Sequence, residues 1–276
     1  MTASANAFHE FEQAGWERAS SEYDRRFGEL TMQAVAPLLD AVGAAPGTRL
    51  LDVASGPGYV AAAAARRGAS VVGVDFSELM VDLASKKHPD LEFLPGDAEN
   101  LDFPDDSFDA VVMNFGMLHL ARPESAIVEA HRVLRPGGRY AFTVWDSPER
   151  AVGFAVVLES IQKHGNVNVD LPEGPPFFRF SHAEESRRAL LTAGFVNVRS
   201  LQVPLMWLLA SGDELLTTFR TAAVRTAALL NAQSPEALKK IRDEIIQRVE
   251  EFRKGERLEI PMPAILASAV CPVDRM

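Results

Sequence analysis

The sequence predicts an α/β fold built on a mostly parallel, doubly wound sheet. First, short apolar runs alternate with helix-forming segments between residues 49 and 145. Second, a turn rich in glycine follows the first of these runs. Third, 47% of the 276 residues are hydrophobic, which is enough for a substantial core. Strands that alternate with helices imply right-handed crossovers, and these place helices on both faces of the sheet.

The first strand is predicted at 49–54, where an apolar run ends in the small-residue turn 55–58. Residues 59–68 then have helix-forming composition and stop at a glycine. The same rhythm continues along the chain, with strands at 70–76, 91–97, 108–115 and 139–145 and helices at 77–88 and 123–134.

The second half of the chain is less regular. Ser181 and Glu184 have the spacing of a capping box, which predicts a helix over 181–194. The other elements predicted there are a strand at 195–207, a helical stretch from Ser211 to about residue 230, a helix that begins at Ser234, and a strand at 257–270. Two prolines interrupt 257–270, and they fit strand ends or an edge strand.

Composition excludes several classes of partner. The chain has 28 Lys and Arg against 38 Asp and Glu, a formal net charge of −10, and no block of basic residues, so we expect no nucleic acid partner. Cys271 is the single cysteine, which rules out an internal disulfide or a cysteine-rich metal site. The first thirty residues contain no apolar stretch of signal-peptide type, and no apolar run reaches the length of about 18 residues that a membrane span needs, so we expect a cytoplasmic protein without membrane insertion.

The glycine turn predicts a site for a nucleoside cofactor. Gly56 and Gly58 let the backbone approach a ligand at the start of a helix. Asp75 ends the next strand, 19 residues after Gly56, where an acid can bind the two hydroxyls of a ribose. Both NAD and S-adenosylmethionine contain such a ribose, so the turn alone leaves the choice open.

Other acids favour S-adenosylmethionine. Asp52 lies inside the first strand, where it can approach a cationic amino group such as that of methionine. Asp97 and Ala98 follow the third strand and can read the edge of an adenine. Together with segments 106–112 and 132–138, these blocks resemble class I S-adenosylmethionine-dependent methyltransferases, in particular the small-molecule group that includes the ubiquinone/menaquinone-biosynthesis type.

The resemblance implies a Rossmann-like sheet of seven strands whose last strand is antiparallel, with N-terminal and inserted helical lid elements. It implies S-adenosylmethionine as the cofactor, although Ala54 stands where such enzymes usually have a glycine. The cofactor contacts that it implies are Gly56, Gly58, Asp75, Phe76, Asp97, Ala98 and Asn114. We further predict contacts from Tyr23, Asp52, Ala54, Met80, Glu99 and Phe115.

We interpret the chain as a single domain, 1–276. Its segments are 1–45 as N-terminal cover helices, 46–146 as the cofactor-binding core, 147–180 and 211–256 as lid or substrate inserts, and 181–210 with 257–271 as the remaining core helix and strands. The helical region 211–254 either packs against the core and forms an oligomer contact or acts as a lid over the site. A homo-oligomer is therefore one of two alternatives.

His119 is the candidate catalytic base because it follows the fourth strand, at the edge of the sheet where ligands bind. His182, beside a helix start, is the second candidate. Asn114 and Asp146 follow neighbouring strands, but two oxygen ligands do not make a metal site, and we predict no metal.

The acceptor is predicted to be a small apolar or aromatic molecule, because the segments that flank the site are rich in aromatic residues. These are Phe154, Phe177, Phe178, Phe180, Met206 and Trp207. Trp16, Tyr23 and Phe27 can share one helix face at the mouth of the site.

Two alternatives to a methyltransferase remain. An NAD(P)-dependent oxidoreductase fits the glycine turn and Asp75, but none of the three tyrosines is followed four residues later by a lysine. A protein that binds the cofactor without catalysis fits the same residues.

Overall fold

The computed structural model describes residues 3–274, which build a seven-stranded sheet and a separate three-stranded sheet. The two residues at each end of the predicted domain 1–276 lie outside these described residues. The strands are β1 (Arg49–Val53), β2 (Ser70–Asp75), β3 (Glu92–Pro95), β4 (Phe108–Asn114), β5 (Leu134–Trp145), β6 (Val196–Val203), β7 (Met206–Leu209), β8 (Arg253–Lys254), β9 (Arg257–Pro261) and β10 (Ala264–Val270).

The helices of the described residues cover both faces of the large sheet and its carboxyl edge. They are α1 (Ala3–Arg26), α2 (Gly28–Met32), α3 (Val35–Val42), α4 (Tyr59–Arg66), α5 (Glu78–Lys87), α6 (Pro123–Val133), α7 (Val152–His164), α8 (Ala183–Thr192), α9 (Gly212–Thr221), α10 (Arg225–Asn231) and α11 (Pro235–Val249). None of these helices combines the length and the apolar composition that crossing a bilayer requires.

The large sheet has the strand order β3-β2-β1-β4-β5-β10-β6. Strands β1 to β5 pair in parallel, whereas β10 is antiparallel to both of its neighbours, with Leu266 opposite Thr143 of β5 and Leu201 of β6. This topology confirms the predicted doubly wound, seven-stranded sheet with an antiparallel last strand. The strand order reverses between β1 and β4, which is where sheets of this type bind ligands.

Two segments predicted as single long strands are each divided between the two sheets. Residues 195–207 form β6 and β7, and residues 257–270 form β9 and β10. Pro204 directly follows β6 and Pro263 directly precedes β10, and neither residue can donate to a hydrogen-bond ladder. As a result β7, β9 and β8 form the small antiparallel sheet, and β10 contains no proline and lies inside the large one.

Three of the four serines at predicted helix starts cap their helices. Ser77, Ser211 and Ser234 each accept a hydrogen bond from the backbone N–H three residues later. The capping box at Ser181 is wrong, since α8 has His182 as its N-cap residue and the Ser181 hydroxyl donates to the Phe178 carbonyl at 2.7 Å. Ser181 is the last residue of the short 3₁₀ turn Arg179–Ser181 that precedes the helix.

The helical region after the small sheet packs against the rest of the fold through its predicted apolar stripe. Ile241, Ile245 and Val249 of α11 are fully buried and face α7 and α9. The single helical stretch predicted from Ser211 to about residue 230 is instead two helices, α9 and α10, and the break at 222–224 lies over the edge of the large sheet where the strands end.

Gly212, at the start of α9, is predicted to be intolerant of substitution. A Cβ atom added there would lie 2.8 Å from the Cα of Ile246 in α11. We expect Gly212→Ala to lower the free energy of unfolding by about 1–3 kcal/mol, as overpacking does, even though alanine is the better helix former. Denaturant unfolding of both proteins measures this change, and an unchanged or increased stability of the variant would contradict the close helix contact.

Candidate active site

A large cavity lies at the carboxyl ends of β1, β2 and β4, at the point where the strand order reverses. Its volume is about 1180 Å³, including the open mouth. The ends of the strands form its floor, and α1 with residues 222–226 forms its roof. The cavity therefore has room for a nucleoside cofactor together with a small second molecule.

The glycine turn forms one wall of this cavity. Ala54, Gly56 and Gly58 all have positive φ angles, of 54°, 50° and 81°. Among the described residues, no heavy atom other than those of Gly56 and its chain neighbours lies within 4 Å of the position that a Cβ on Gly56 would occupy, so a ligand can approach the backbone there. Gly58 does not line the cavity, and a Cβ on it would lie 2.7 Å from the ring of Phe93, so its role is to let the turn pack closely.

Asp75 joins the glycine turn to the start of the next helix. One of its carboxylate oxygens accepts the Gly56 N–H at 2.8 Å and the other accepts the Ser77 N–H at 3.0 Å. Burial raises the pKa of this carboxyl to about 6. Each carboxylate oxygen has a second lone pair, so Asp75 can still accept two hydroxyl groups from a ligand in the cavity.

Asp52 is the most unusual group of the site. Its side chain is fully buried, one oxygen accepts the Ala61 N–H at 3.0 Å, and the other oxygen has no partner within residues 3–274. Burial raises the pKa of this carboxyl to about 8. The Ser55 hydroxyl beside it is also buried without a partner among these residues. Unpartnered polar atoms in a cavity wall indicate a place for polar ligand groups.

The turn after β3 contributes Gly96, Asp97 and Ala98 to the cavity wall. Asp97 accepts the Glu99 N–H at 2.9 Å, which fixes the carboxylate beside the opening. Glu99 itself does not line the cavity, because its carboxylate turns away to bind the guanidinium of Arg122 at 2.7 Å. Of the predicted cofactor contacts, Glu99 and Gly58 are therefore the two that the cavity does not include.

The end of β4 forms the boundary between the cofactor side and the aromatic side of the cavity. Asn114 uses both of its polar groups within the protein, accepting from the Thr143 hydroxyl at 2.6 Å and donating to the Thr31 carbonyl at 3.2 Å. Phe115 has a φ of 58°, unusual for a bulky residue, and its ring lies 4.1 Å from that of Trp145. Asn114 thus holds the wall in place, and Phe115 forms part of its surface.

Helix α1 covers the cavity and is fastened to it by polar contacts. The Gln13 side chain donates to the carbonyl of Phe76 at 2.9 Å, and Glu17 accepts the Glu78 N–H at the start of α5 at 2.8 Å. Phe76 and Met80, which were both predicted as cofactor contacts, line the cavity beneath this helix.

The aromatic stripe of α1 faces the cavity, as its spacing predicted. The ring of Trp16 lies 5.3 Å from that of Tyr23, which stacks on Phe27 at 6.0 Å, and all three line the cavity. The Tyr23 hydroxyl donates a hydrogen bond to the Thr31 hydroxyl at 3.3 Å.

Aromatic rings continue across the far side of the cavity. Phe154 and Phe177, from the predicted insert, line it, and Trp145 at the end of β5 joins them. Phe178, Phe180, Met206 and Trp207 do not line it, because they pack into the surrounding core or the small sheet.

His119 lines the cavity, whereas His182 is at the N-cap of α8 and does not. Nδ1 of His119 lies 2.9 Å from a carboxylate oxygen of Glu12, and the other oxygen of Glu12 lies 2.7 Å from Nε of Arg225. Glu12 and Arg225, which are 213 residues apart, were not among the predicted site residues. One available signal was Glu12 itself, an acid four residues from Phe8 and four from Trp16 on one helix face.

No metal centre is apparent in the described part of the chain, where no three His, Cys, Asp or Glu side chains are close enough to hold an ion. Asp146, considered as a metal ligand together with Asn114, is instead paired with Arg150 at 2.7 Å and accepts from Gln202 at 2.6 Å. These partners hold the pKa of Asp146 below its usual range, even though burial opposes the shift.

Comparison with known sequences identifies a methyltransferase domain in residues 51–142. A demethylmenaquinone methyltransferase from Renibacterium salmoninarum is 42% identical over 111 residues, which are 40% of this chain and 47% of that protein. One from Clavibacter sepedonicus is 38% identical over 149 residues, which are 49% of this chain and 58% of that protein. The matches therefore span about half the length of these relatives.

Comparison with solved structures identifies the same fold. A phosphoethanolamine N-methyltransferase from Haemonchus contortus, in complex with S-adenosyl-L-methionine, superposes with a TM-score of 0.59 at 17% identity and covers 96% of this chain and 60% of its own. A SAM-dependent methyltransferase from Thermotoga maritima superposes with a TM-score of 0.55 at 20% identity. This match covers 94% of the present chain and 99% of the Thermotoga chain. The methyltransferase domain matched in residues 51–142 does not favour the NAD(P)-dependent alternative.

Proposed function

We propose that the chain is a class I S-adenosylmethionine-dependent methyltransferase that transfers a methyl group to a small hydrophobic or aromatic molecule, since residues 51–142 match a methyltransferase domain. The relatives named demethylmenaquinone methyltransferase support an acceptor of this class. The observation that carries the proposal is the pair of buried acids in the cavity wall, Asp52 before the glycine turn and Asp75 bonded to it. One oxygen of Asp52 has no partner among residues 3–274.

The residues present fit S-adenosylmethionine. Asp75 would accept the two ribose hydroxyls, and the free oxygen of Asp52 would accept from the ammonium group of the methionine part. Asp97 and Ala98 would read the adenine, and the backbone at Gly56 would lie against the ligand. When bound, the cofactor supplies a methyl group that is activated by attachment to a cationic sulfur.

The chain's own contribution to such a reaction is alignment and the exclusion of water. Holding two reactants in line is worth about 7–11 kcal/mol at most, provided that the site is closed. Helix α1 and the aromatic rings around Trp145 provide that closure. We also propose His119 as the group that receives a proton when the acceptor has one to lose.

We place the acceptor against Phe177 and predict that this ring mainly affects the acceptor. Phe177 lines the cavity, where its ring lies 5.9 Å from that of His119 and 5.4 Å from that of Phe154. We expect Phe177→Ala to raise the KM for the acceptor by about tenfold, the loss of roughly one aromatic contact, while the Kd of S-adenosylmethionine changes less than about twofold. Phe178→Ala is the matched control, since its ring is next in sequence but outside the cavity wall. Equal KM changes in the two variants would contradict this placement.

Two measurements test the function. Calorimetry measures the binding of S-adenosylmethionine, and transfer of a labelled methyl group to hydroxylated, aminated and unsubstituted aromatic compounds measures turnover. Binding with transfer supports the proposal. Binding without transfer to any pool of acceptors favours the non-catalytic alternative, and the absence of binding would refute both.

The remaining features of the proposal follow from composition and fold. We propose a small-molecule acceptor in preference to nucleic acid, since the net charge of −10 repels phosphates. We also propose that the protein is cytoplasmic and that the chain is divided into core and lid segments. We propose a homo-oligomer that forms through the region 211–254. Analytical ultracentrifugation measures the last of these.

A further inference from the structure

Glu12 of α1 is a fully buried acid that lies behind two residues of the cavity wall, His119 and Arg225. Its two carboxylate oxygens have different partners, Nδ1 of His119 at 2.9 Å and Nε of Arg225 at 2.7 Å. Glu12 therefore connects the candidate base to a permanently charged side chain from another helix.

Arg225 fixes the charge of Glu12. A guanidinium remains protonated at any pH that a folded protein experiences, and the carboxylate beside it is compensated in a place where an unpaired charge would be costly. The same guanidinium donates to the main-chain oxygens of Leu118 and Pro175, so Arg225 also holds the two loops on either side of His119.

The charge of Glu12 determines which nitrogen of His119 carries the proton. An ionised carboxylate can only accept hydrogen bonds, so Nδ1 must be the donor. Nε2 of the neutral ring then has the free lone pair. The ring of Trp16 at 4.7 Å and that of Phe177 at 5.9 Å pack edge-on against the imidazole and limit its rotation.

We propose that Glu12 is a positioning residue that keeps His119 ready to accept a proton at Nε2, and that the acceptor therefore carries a hydroxyl group on an aromatic ring. This inference rests on the proposed methyltransferase function. An aromatic ring suits the walls formed by Trp145, Phe154 and Phe177. A base assists the attack itself when the attacking atom is a hydroxyl oxygen, which is a weak nucleophile while protonated, whereas a neutral amine attacks through its own lone pair.

The reaction balances without any other reactant. The acceptor oxygen forms a bond to the methyl carbon, the carbon–sulfur bond breaks, and its electron pair stays on sulfur, which leaves S-adenosylhomocysteine. The hydroxyl proton moves to Nε2 of His119, and Glu12 stabilises the imidazolium that results. Because Glu12 belongs to α1, this arrangement exists only while that helix covers the cavity.

The tautomer of His119 tests the inference without an assay of activity. In the whole chain labelled with ¹⁵N-histidine and mixed with S-adenosylhomocysteine, long-range ¹H–¹⁵N spectra distinguish the two neutral tautomers, and His119→Gln assigns the resonance. We expect the Nδ1–H form in the wild-type protein. The Nε2–H form there would overturn the proposal, whether or not any variant folds.

Glu12→Gln sharpens this test because Arg225 has only donors. The amide oxygen of Gln must face Arg225, so the amide NH₂ group meets Nδ1 of His119 and favours the Nε2–H tautomer. Glu10→Gln is the matched control, since it makes the same chemical change on the exposed side of the same helix. If Glu12→Gln keeps the wild-type tautomer, Glu12 does not set it and the proposal fails.

Ligand probes test the acceptor class. We expect 1-naphthol to shift the Nε2 resonance of His119 and naphthalene to leave it in place; equal shifts, or none, contradict a hydroxyl acceptor. With any hydroxylated aromatic compound that becomes labelled in the transfer assay, Glu12→Gln is expected to lower kcat on the order of 100-fold or more, with KM and cofactor Kd within about threefold. A change confined to KM would instead assign Glu12 a structural role.

The two proposals can fail separately. If the chain binds S-adenosylmethionine and transfers its methyl group while His119 is in the Nε2–H form, only the role of Glu12 is lost. If the tautomer is as expected but S-adenosylmethionine does not bind, the methyltransferase proposal is the one that is wrong.

Discussion

Replacement of Asp75 by Asn is expected to weaken the binding of S-adenosylmethionine at least 100-fold. Two hydrogen bonds from ribose hydroxyls to an ionised carboxylate contribute about 1.5–3 kcal/mol each, so their loss costs about 3 kcal/mol or more, roughly two powers of ten in Kd. The change also disturbs the turn itself, because one amide NH₂ group must replace an oxygen that accepts from Gly56 or Ser77.

Calorimetric titration with S-adenosylmethionine measures this effect, and thermal unfolding of the free protein shows whether the fold persists. Asp90→Asn is the control, since it removes one exposed carboxylate close in sequence to the site. We expect the control to bind as the wild type does. If the Kd of S-adenosylmethionine for the folded Asp75→Asn protein changes by less than about threefold, the ribose does not bind at Asp75.

A second large effect is expected in the pH dependence of cofactor binding. Burial raises the pKa of Asp52 to about 8 in the free protein, so this carboxyl is mostly protonated at neutral pH. A cationic ammonium group favours the ionised form, so binding must release the proton. Affinity therefore rises with pH, and Kd falls by about tenfold for each unit between pH 6 and pH 8 before it levels off.

Titrations at neutral pH in two buffers of different ionisation enthalpy measure the released proton directly. Asp52→Asn should bind more weakly at pH 8 but should lose this slope, because the amide does not titrate. Asp75, whose pKa is raised to about 6, adds a further loss of affinity only below that pH. The same slope in wild type and Asp52→Asn would refute the assignment of the ammonium group to Asp52.

Sequence periodicity predicted the large sheet well, because its strands are short, apolar and separated by glycine turns or capped helices. Leu51 of β1 and Val111 of β4 are completely buried, as expected of parallel strands that are covered on both faces. The small sheet could not be predicted in this way. Its strands β7 and β9 continue the apolar runs of β6 and β10, and only the prolines between them mark where one sheet ends.

The cofactor side of the site was predictable for a local reason. Asp52, Gly56 and Asp75 have roles that follow from their positions at the ends of neighbouring strands. The group around His119 was not predictable, since Glu12 and Arg225 come from opposite ends of the chain and approach each other only after the sheet has formed. Pairs of this kind leave no periodic pattern in a sequence.

The position of β10 has a consequence for the order of folding. This strand comes after all the others in the sequence, yet it pairs on one side with β5 and on the other with β6. Until it is in place, β6 has no partner in the large sheet and β5 exposes an unpaired edge, which invites association with other chains. The pairing of β10 with β5 also joins segments more than 100 residues apart, and such contacts form slowly because a long loop must close first. We therefore expect the half of the sheet that contains β1 to β4 to be protected early in refolding and β6 to be protected last.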